Sequence, residues 1–196
     1  MKKIKQNARE KLLDVTFEEI YLKGYSATSI DAILKKADVP KGSMYYYFKS
    51  KKSLVLAMIE ERLYPKMDSF FLFKRVDGLS VYSSLEQILQ NISKNSTLIN
   101  SGCPMYRLMV ELSPVDSDFD NIIKIGYENM LNNLSAMLKD GVNAKEFSNS
   151  LNCDNFAKFI ISSVWGVLSL SPTISSPKSF LEQTFFILKA LDCYRN

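Results

Sequence analysis

Apolar side chains recur at spacings of three and four residues along nearly the whole chain, the period of an amphipathic helix. The first stripe is Leu13, Phe17 and Ile20, with Leu12 and Thr16 beside it. It ends at Lys23-Gly24, a basic last turn followed by a glycine suited to a left-handed C-cap. Thr28 and Ser29 are N-cap residues for a short helix carrying Ile30, Ile33, Leu34 and Ala37. Pro40 disfavours helical geometry at Val39 but suits the first turn of a new helix, which runs from Pro40 or Lys41 through Phe48. Ser50 then caps a longer helix with Leu54, Met58, Ile59 and Leu63 on its apolar side, extending to Tyr64-Pro65 or a little beyond. With 7 Gly and 6 Pro in 196 residues, a turn-rich β-sandwich is excluded and an all-α fold is expected.

The rest of the chain continues in the same period. Ser80 to Ser101 reads as one helix, with Val81, Leu85, Ile88, Leu89 and Ile92 apolar. Gly102-Cys103-Pro104 breaks it, and Pro104 opens a short helix with Met105, Tyr106, Leu108, Met109 and Leu112. After Pro114-Val115-Asp116 a long helix runs to about Asp140-Gly141. Phe156, Phe159, Ile160, Val164, Val167 and Leu168 mark the next one, Ser171 to Pro177 a loop, and Phe180, Leu181, Thr184, Phe185, Leu188 and Leu191 the last. Ser162, Ser163 and Gly166 leave room for close helix contact.

Histidine is absent, which removes Ser-His, Cys-His and His-ligated metal chemistry. Cys103, Cys153 and Cys193 form no CxxC pair, so no zinc site or disulfide framework is expected, and a reducing, cytoplasmic setting fits. The basic start of the chain has no apolar run behind it, so no signal peptide is expected. The most apolar stretch, Phe159 to Leu170, is too short to span a bilayer. No cofactor, metal or membrane partner is expected. Charge is uneven: residues 1–53 carry 12 Lys+Arg against 6 Asp+Glu, and residues 54–196 carry 13 against 15. A basic head on a slightly acidic body points to a head that meets a polyanion, although a solvated lysine-rich surface gives the same balance.

Two short helices joined by a tight turn, braced before and after by longer ones, make a helix-turn-helix. At about 100° per residue, Met44 and Phe48 of the second short helix share the core face. Tyr46 then points away from the core, with Gly42 beside it and Ser43, Tyr45 and Tyr47 flanking. Gly42 lets the helix start approach a DNA backbone closely. Lys49, Lys51 and Lys52 follow where phosphate contacts are useful.

The pieces Lys23-Gly24-Tyr25-Ser26-Ala27-Thr28-Ser29-Ile30 and Lys41-Gly42-Ser43-Met44-Tyr45-Tyr46-Tyr47-Phe48-Lys49-Ser50-Lys51 resemble the DNA-binding signature of TetR/AcrR-type transcriptional regulators, over roughly residues 8–60. The resemblance implies an all-helical homodimer. Residues 1–50 would be the helix-turn-helix DNA-binding domain and residues 51–196 a ligand-binding and dimerisation domain. It assigns Thr28 and Ser29 to the first motif helix near a phosphate, Lys41, Gly42, Ser43, Tyr45, Tyr46 and Tyr47 to the recognition helix, and Lys51 to a phosphate contact. Tyr47 stands where a histidine is common, Asp38 where a turn glycine is, Pro40 where a serine is, and Glu19 where an apolar residue is. The terminal helix pair would form a four-helix bundle with its twin, or else simply close the monomer core. The Gly-Cys-Pro start followed by Glu111-Leu112 resembles a segment in one branch of the same family.

These readings converge on a ligand-responsive repressor that binds a palindromic double-stranded DNA operator as a homodimer and is released by a small organic, largely hydrophobic effector. Cys103, Met105, Tyr106, Met109, Tyr127, Met130 and Trp165 are the expected ligand-binding residues, with Phe147 and Met137 as further cavity candidates. The same aromatic and methionine stripes also suit a plain core. Glu111, Asp116, Asp118, Asp120 and Glu128 form either a solvated face or an attraction for a cationic ligand. A rival trigger is Cys103: a helix start can lower a thiol's pKa, and Arg107 lies one turn on, which would make an oxidant or electrophile sensor, but a buried, inert cysteine is the expected case. A helical enzyme and an adaptor whose basic head binds an acidic protein, not DNA, remain alternatives.

Overall fold

The structure is a computed structural model that describes residues 7–71, 73–170, 173 and 176–196. Its helices are α1 (Ala8–Lys23), α2 (Ile30–Ala37), α3 (Lys41–Tyr47), α4 (Lys51–Met58), a π-helical turn (Ile59–Leu63), α5 (Tyr64–Phe70), α6 (Val81–Lys94), α7 (Ser96–Ser101), α8 (Pro104–Leu112), α9 (Ser117–Asn143), α10 (Cys153–Ser169) and α11 (Pro177–Asp192). Among the described residues the only β-pairing is an isolated bridge between Phe147 and Arg195. The all-α expectation holds. Packing divides the chain into two compact units: residues up to Lys66 with Arg107–Ile123, and Met67–Tyr106 with Lys124–Asn196.

In the first unit, Leu12, Leu13, Ile20, Ile33, Met44, Leu54, Val55, Met58, Ile59 and Leu63 are buried. The helix starts follow from short polar caps. The Asn7, Ser29 and Ser50 side chains accept from the backbone N–H groups of Glu10, Ala32 and Ser53, and Ser53 returns the bond to Ser50 in a capping box. Thr28 is not a cap: its hydroxyl donates to the Gly24 carbonyl 2.8 Å away and is buried. Asp38 takes the left-handed conformation (φ 52°, ψ 52°) that ends α2. Gly24 departs from the expected left-handed cap. Its φ of 85° is positive, but ψ is 169°, a region open essentially only to glycine. Glu19 is 5 % exposed yet charged. It is held by Lys23 at 2.6 Å and by Lys36 of α2 at 2.9 Å, hydrogen bonds that keep its carboxyl below the usual range.

In the second unit, Val81, Leu85, Leu89, Ile92, Leu134, Leu138, Phe147, Ile160, Val164, Leu168, Phe180 and Leu191 form the core. Ser80, Asn152 and Ser176 cap α6, α10 and α11, and Pro177 sits in the first turn of α11. The expected single helix over Ser80–Ser101 is two. Asn95 (φ −82°, ψ 96°) leaves the helical region, closes α6 and caps α7 through Leu98 N–H. Gly141 does not stop α9, which continues to Asn143. It is a packing glycine, since a Cβ there would lie 2.6 Å from the Phe147 ring. Phe147 and Met137, expected near a ligand, are buried in the core. The expected loop from Ser171 to Pro177 lies largely outside the described residues. Among the described residues no helix is long and apolar enough to cross a membrane.

Candidate nucleic-acid interface

The second short helix has the two faces that its sequence requires. Met44 and Phe48 are buried, while Tyr46 is 82 % exposed and Tyr45 and Tyr47 remain open to solvent. Tyr47 supports Tyr46 edge-on, with ring centroids 4.9 Å apart. Lys41, Gly42 and Ser43 form the first turn of α3, and Pro40, the N-cap, makes no side-chain bond. That turn therefore has no side-chain cap: Ser43 N–H bonds the Pro40 carbonyl at 3.0 Å, and the N–H groups of Lys41 and Gly42 have no acceptor within the helix. A Cβ placed on Gly42 meets nothing within 4 Å, so protein packing does not demand glycine there. Ser29 is exposed but committed to capping α2.

The expected lysine clamp is only partly open. Lys41 and Lys49 are exposed, Lys41 at 4.0 Å from Asp31. Lys52 is paired with Asp116 and Asp118, each at 2.7 Å. Lys51 is half-buried, donates to the Tyr25 carbonyl, and places its ammonium 4.0 Å above the Tyr25 ring. Burial pushes its pKa down. In this arrangement Lys51 braces the turn between α1 and α2.

That turn has a second support. The Glu111 carboxylate, on α8, accepts the backbone N–H of Tyr25 at 2.8 Å and of Ser26 at 2.7 Å. Burial raises this carboxyl, and the Ser26 backbone and side-chain donors, the Tyr25 N–H and the Lys51 charge together hold its pKa below the usual range. One turn earlier on α8, Arg107 donates to the Tyr21 carbonyl near the end of α1. Glu111 is therefore neither a solvated residue nor a bait for a cation, and Arg107 is not spent on Cys103. Only the tertiary fold could identify these partners, because 85 residues or more separate them.

Of the expected ligand-binding residues, Tyr106, Tyr127 and Trp165 come together, both tyrosine rings lying 5.6 Å from the indole. Met105 and Met130 are buried, and Met109 is half-buried. Cys103 is 1 % exposed. Burial pushes its thiol up to about 12, against the backbone N–H groups of Tyr106 and Met105 that pull it down. The buried cysteine expected at this position is what the structure holds, and desolvation outweighs the pull of the helix start on the thiol. A surface groove of about 500 Å³ lies elsewhere, lined by Leu151, Phe156, Phe159, Cys193 and Tyr194 among others. Among the described residues no cluster of acids and cysteines is arranged to hold a metal.

An outward-facing, aromatic and basic second helix on a braced helix-turn-helix defines a DNA-binding head. Residues 12–58 match the bacterial regulatory proteins of the tetR family, and residues 83–181 match the tetracyclin repressor-like C-terminal domain. The chain belongs to the TetR family and is a helix-turn-helix DNA-binding transcriptional regulator. An HTH-type transcriptional regulator from the lacX 3′ region of Lactococcus lactis subsp. lactis is 32 % identical over 190 residues, covering 94 % of this chain and 92 % of that one. The HTH-type transcriptional repressor NemR of Escherichia coli K12 is 30 % identical over 148 residues, 71 % of each chain. The crystal structure of reduced E. coli NemR superimposes with a TM-score of 0.80 at 21 % identity, over 97 % of this chain and 98 % of that one. A TetR-family regulator from Cytophaga hutchinsonii gives 0.84 at 17 % identity, over 95 % and 94 %. The adaptor reading, without DNA, is set aside.

Proposed function

We propose that this regulator is a cytoplasmic repressor. It acts as a two-fold homodimer whose α3 helices read the half-sites of a palindromic operator, and a small, largely hydrophobic effector bound in the body releases it. Residues 1–50 act as the reading head and residues 51–196 as the effector-binding and dimerising part. Thr28, Ser29, Lys41, Gly42, Ser43, Tyr45, Tyr46 and Tyr47 face or shape the DNA side, and Lys51 positions the turn behind it.

The observation that carries the reading is Gly42. Neither its backbone conformation nor its packing calls for glycine, since only open space surrounds a Cβ there. A close approach from outside accounts for it. Gly42→Ala should then raise stability by up to about 1 kcal/mol, because alanine favours helix, while weakening operator binding. The measurement pairs chemical denaturation with fluorescence anisotropy on duplexes selected by the wild-type protein from random sequence. The selected sites should be two-fold symmetric, with half-sites one or more helical turns apart. Asymmetric sites, or unchanged affinity in Gly42→Ala, would sink the reading. A relative named as a repressor supports repression over activation. The rival oxidation trigger at Cys103 must contend with a buried thiol held almost wholly protonated at neutral pH.

A further inference from the structure

Trp165 sits on α10, is 5 % exposed, and its indole N–H has no hydrogen-bond partner among the described residues. An indole nitrogen is a donor only, and nearly every buried donor in a native protein finds an acceptor. Thr16 Oγ1 and Ser113 Oγ are likewise without a partner among the described residues, but those hydroxyls can also accept, whereas the indole can only donate, and an unmade buried bond is costly. The surroundings suggest an explanation. Tyr106 from α8 and Tyr127 from α9 each lie 5.6 Å from the indole, tilted by 53° and 51°, and both keep partial contact with solvent. Two partly exposed aromatic rings therefore pack against the indole that carries the orphan donor, with the adaptable Met105 and Met130 also buried in the same unit.

Among the described residues, no charged side chain is shown in contact with the indole or with either tyrosine ring, and several charges on these helices have partners of their own. Glu111 is bonded to the Tyr25 and Ser26 N–H groups and Arg107 to the Tyr21 carbonyl. Lys124 is paired with Glu128, and Asp154 with Lys139. Three aromatic faces select a flat molecule, the orphan donor selects one that carries an acceptor, and the lack of a charged contact to these rings among the described residues selects one without net charge.

We propose that Trp165 Nε1 is the polar anchor of an effector subsite, donating to the acceptor oxygen of an uncharged, planar aromatic carbonyl compound inserted beside Tyr106 and Tyr127. This rests on the effector-released reading above and adds the chemistry of the effector.

Trp165 is the single tryptophan of the chain, so its own fluorescence reports occupancy. The full chain is titrated with 1-indanone and 1-tetralone beside their hydrocarbon counterparts, indane and tetralin, which have nearly the same shape and no acceptor. 1-Indanecarboxylate serves as the charged control. Each ketone should quench or shift the emission with a Kd about tenfold below that of its hydrocarbon, the worth of one hydrogen bond. The carboxylate should bind more weakly than the ketones. In Trp165→Phe, followed by calorimetry, the ketone preference should disappear while hydrocarbon affinity stays. Equal affinities for ketone and hydrocarbon in the wild type overturn the proposal without any variant; a tightly held water on the indole would give that outcome. Absence of ketone binding, or a ketone preference that survives Trp165→Phe, also overturns it. Operator affinity measured in the same solutions separates the two ideas. Ketone binding at Trp165 with no operator release keeps the subsite and removes the effector reading. Release by some other molecule, with no ketone preference at Trp165, does the reverse.

Discussion

Tyr46 and Lys51 lie five positions apart and differ in how far their surroundings commit them. Tyr46 projects from a helix whose opposite face is locked by Met44, so its exposure is a matter of helical angle alone. Lys51 lies at a helix start where a lysine would ordinarily be solvated, yet its ammonium rests on the Tyr25 ring and carbonyl. The two kinds of lysine should separate in a salt titration. Lys41→Ala and Lys49→Ala should each reduce the slope of log affinity against log salt by about 0.9, the signature of one lost phosphate contact. Lys51→Met should weaken operator binding at every salt concentration with the slope unchanged, because it loosens a turn and removes no counterion release. A slope change for Lys51→Met equal to that of Lys49→Ala would return Lys51 to the phosphate-contacting set. Tyr46 could be placed from sequence because Met44 and Phe48 define the buried face within one helix. Lys51 could not, because the ring that holds it lies 26 residues back in a turn of non-repeating conformation.

Among the elements, α8 stands out. Tyr106 and Arg107 are neighbours on it, yet they belong to different compact units. One side chain packs on Trp165 and the other holds α1. Glu111 continues the grip by closing two backbone donors that the Gly24 turn leaves open. A carboxylate accepting two N–H bonds is worth more than a neutral acceptor. Glu111→Gln should therefore cost about 2 kcal/mol in urea unfolding at neutral pH. The folded-state pKa of Glu111 is depressed, so its contribution is present above the ordinary carboxylate range and is lost as pH falls through the depressed value. The gap between wild type and variant should accordingly shrink on acidification, and a gap constant down to low pH would deny Glu111 this role. Capped helix starts at Ser29 and Ser50 are readable in the sequence, since each cap acts within three residues of itself. The break at Asn95 is not: the apolar period runs on through Ile92, Leu98 and Ile99, while the Asn95 backbone leaves the helical region and its side chain caps Leu98 N–H.

On the scale of the whole molecule, the last two helices leave a large apolar surface unburied within the chain. Phe159, Leu181, Phe185 and Phe186 are all exposed, Phe185 by 48 %, on α10 and α11. Exposed apolar side chains on both terminal helices suit a twin subunit. Gly166, with open space where a Cβ would be, permits close approach of helices there. Phe185→Asp places a charge at a half-exposed site, so it should leave the helical circular dichroism intact while sedimentation shifts from dimer to monomer. A wild-type monomer at micromolar concentration would refute the dimer. The extent of that face was hidden in the sequence, because Phe185 and Leu188 look alike in the apolar period and only the fold shows that Leu188 turns inward. The π turn at Ile59–Leu63 carries a different lesson. It sets consecutive residues Glu61 and Arg62 against α1, Glu61 on Arg9 at 2.7 Å and Arg62 on Glu10 and Asp14. A π turn is what one added residue leaves in an α-helix whose two ends are already held by their neighbours. Removing one residue between Ile59 and Leu63 should therefore return this stretch to an ordinary α-helical turn and cost one of its two grips on α1.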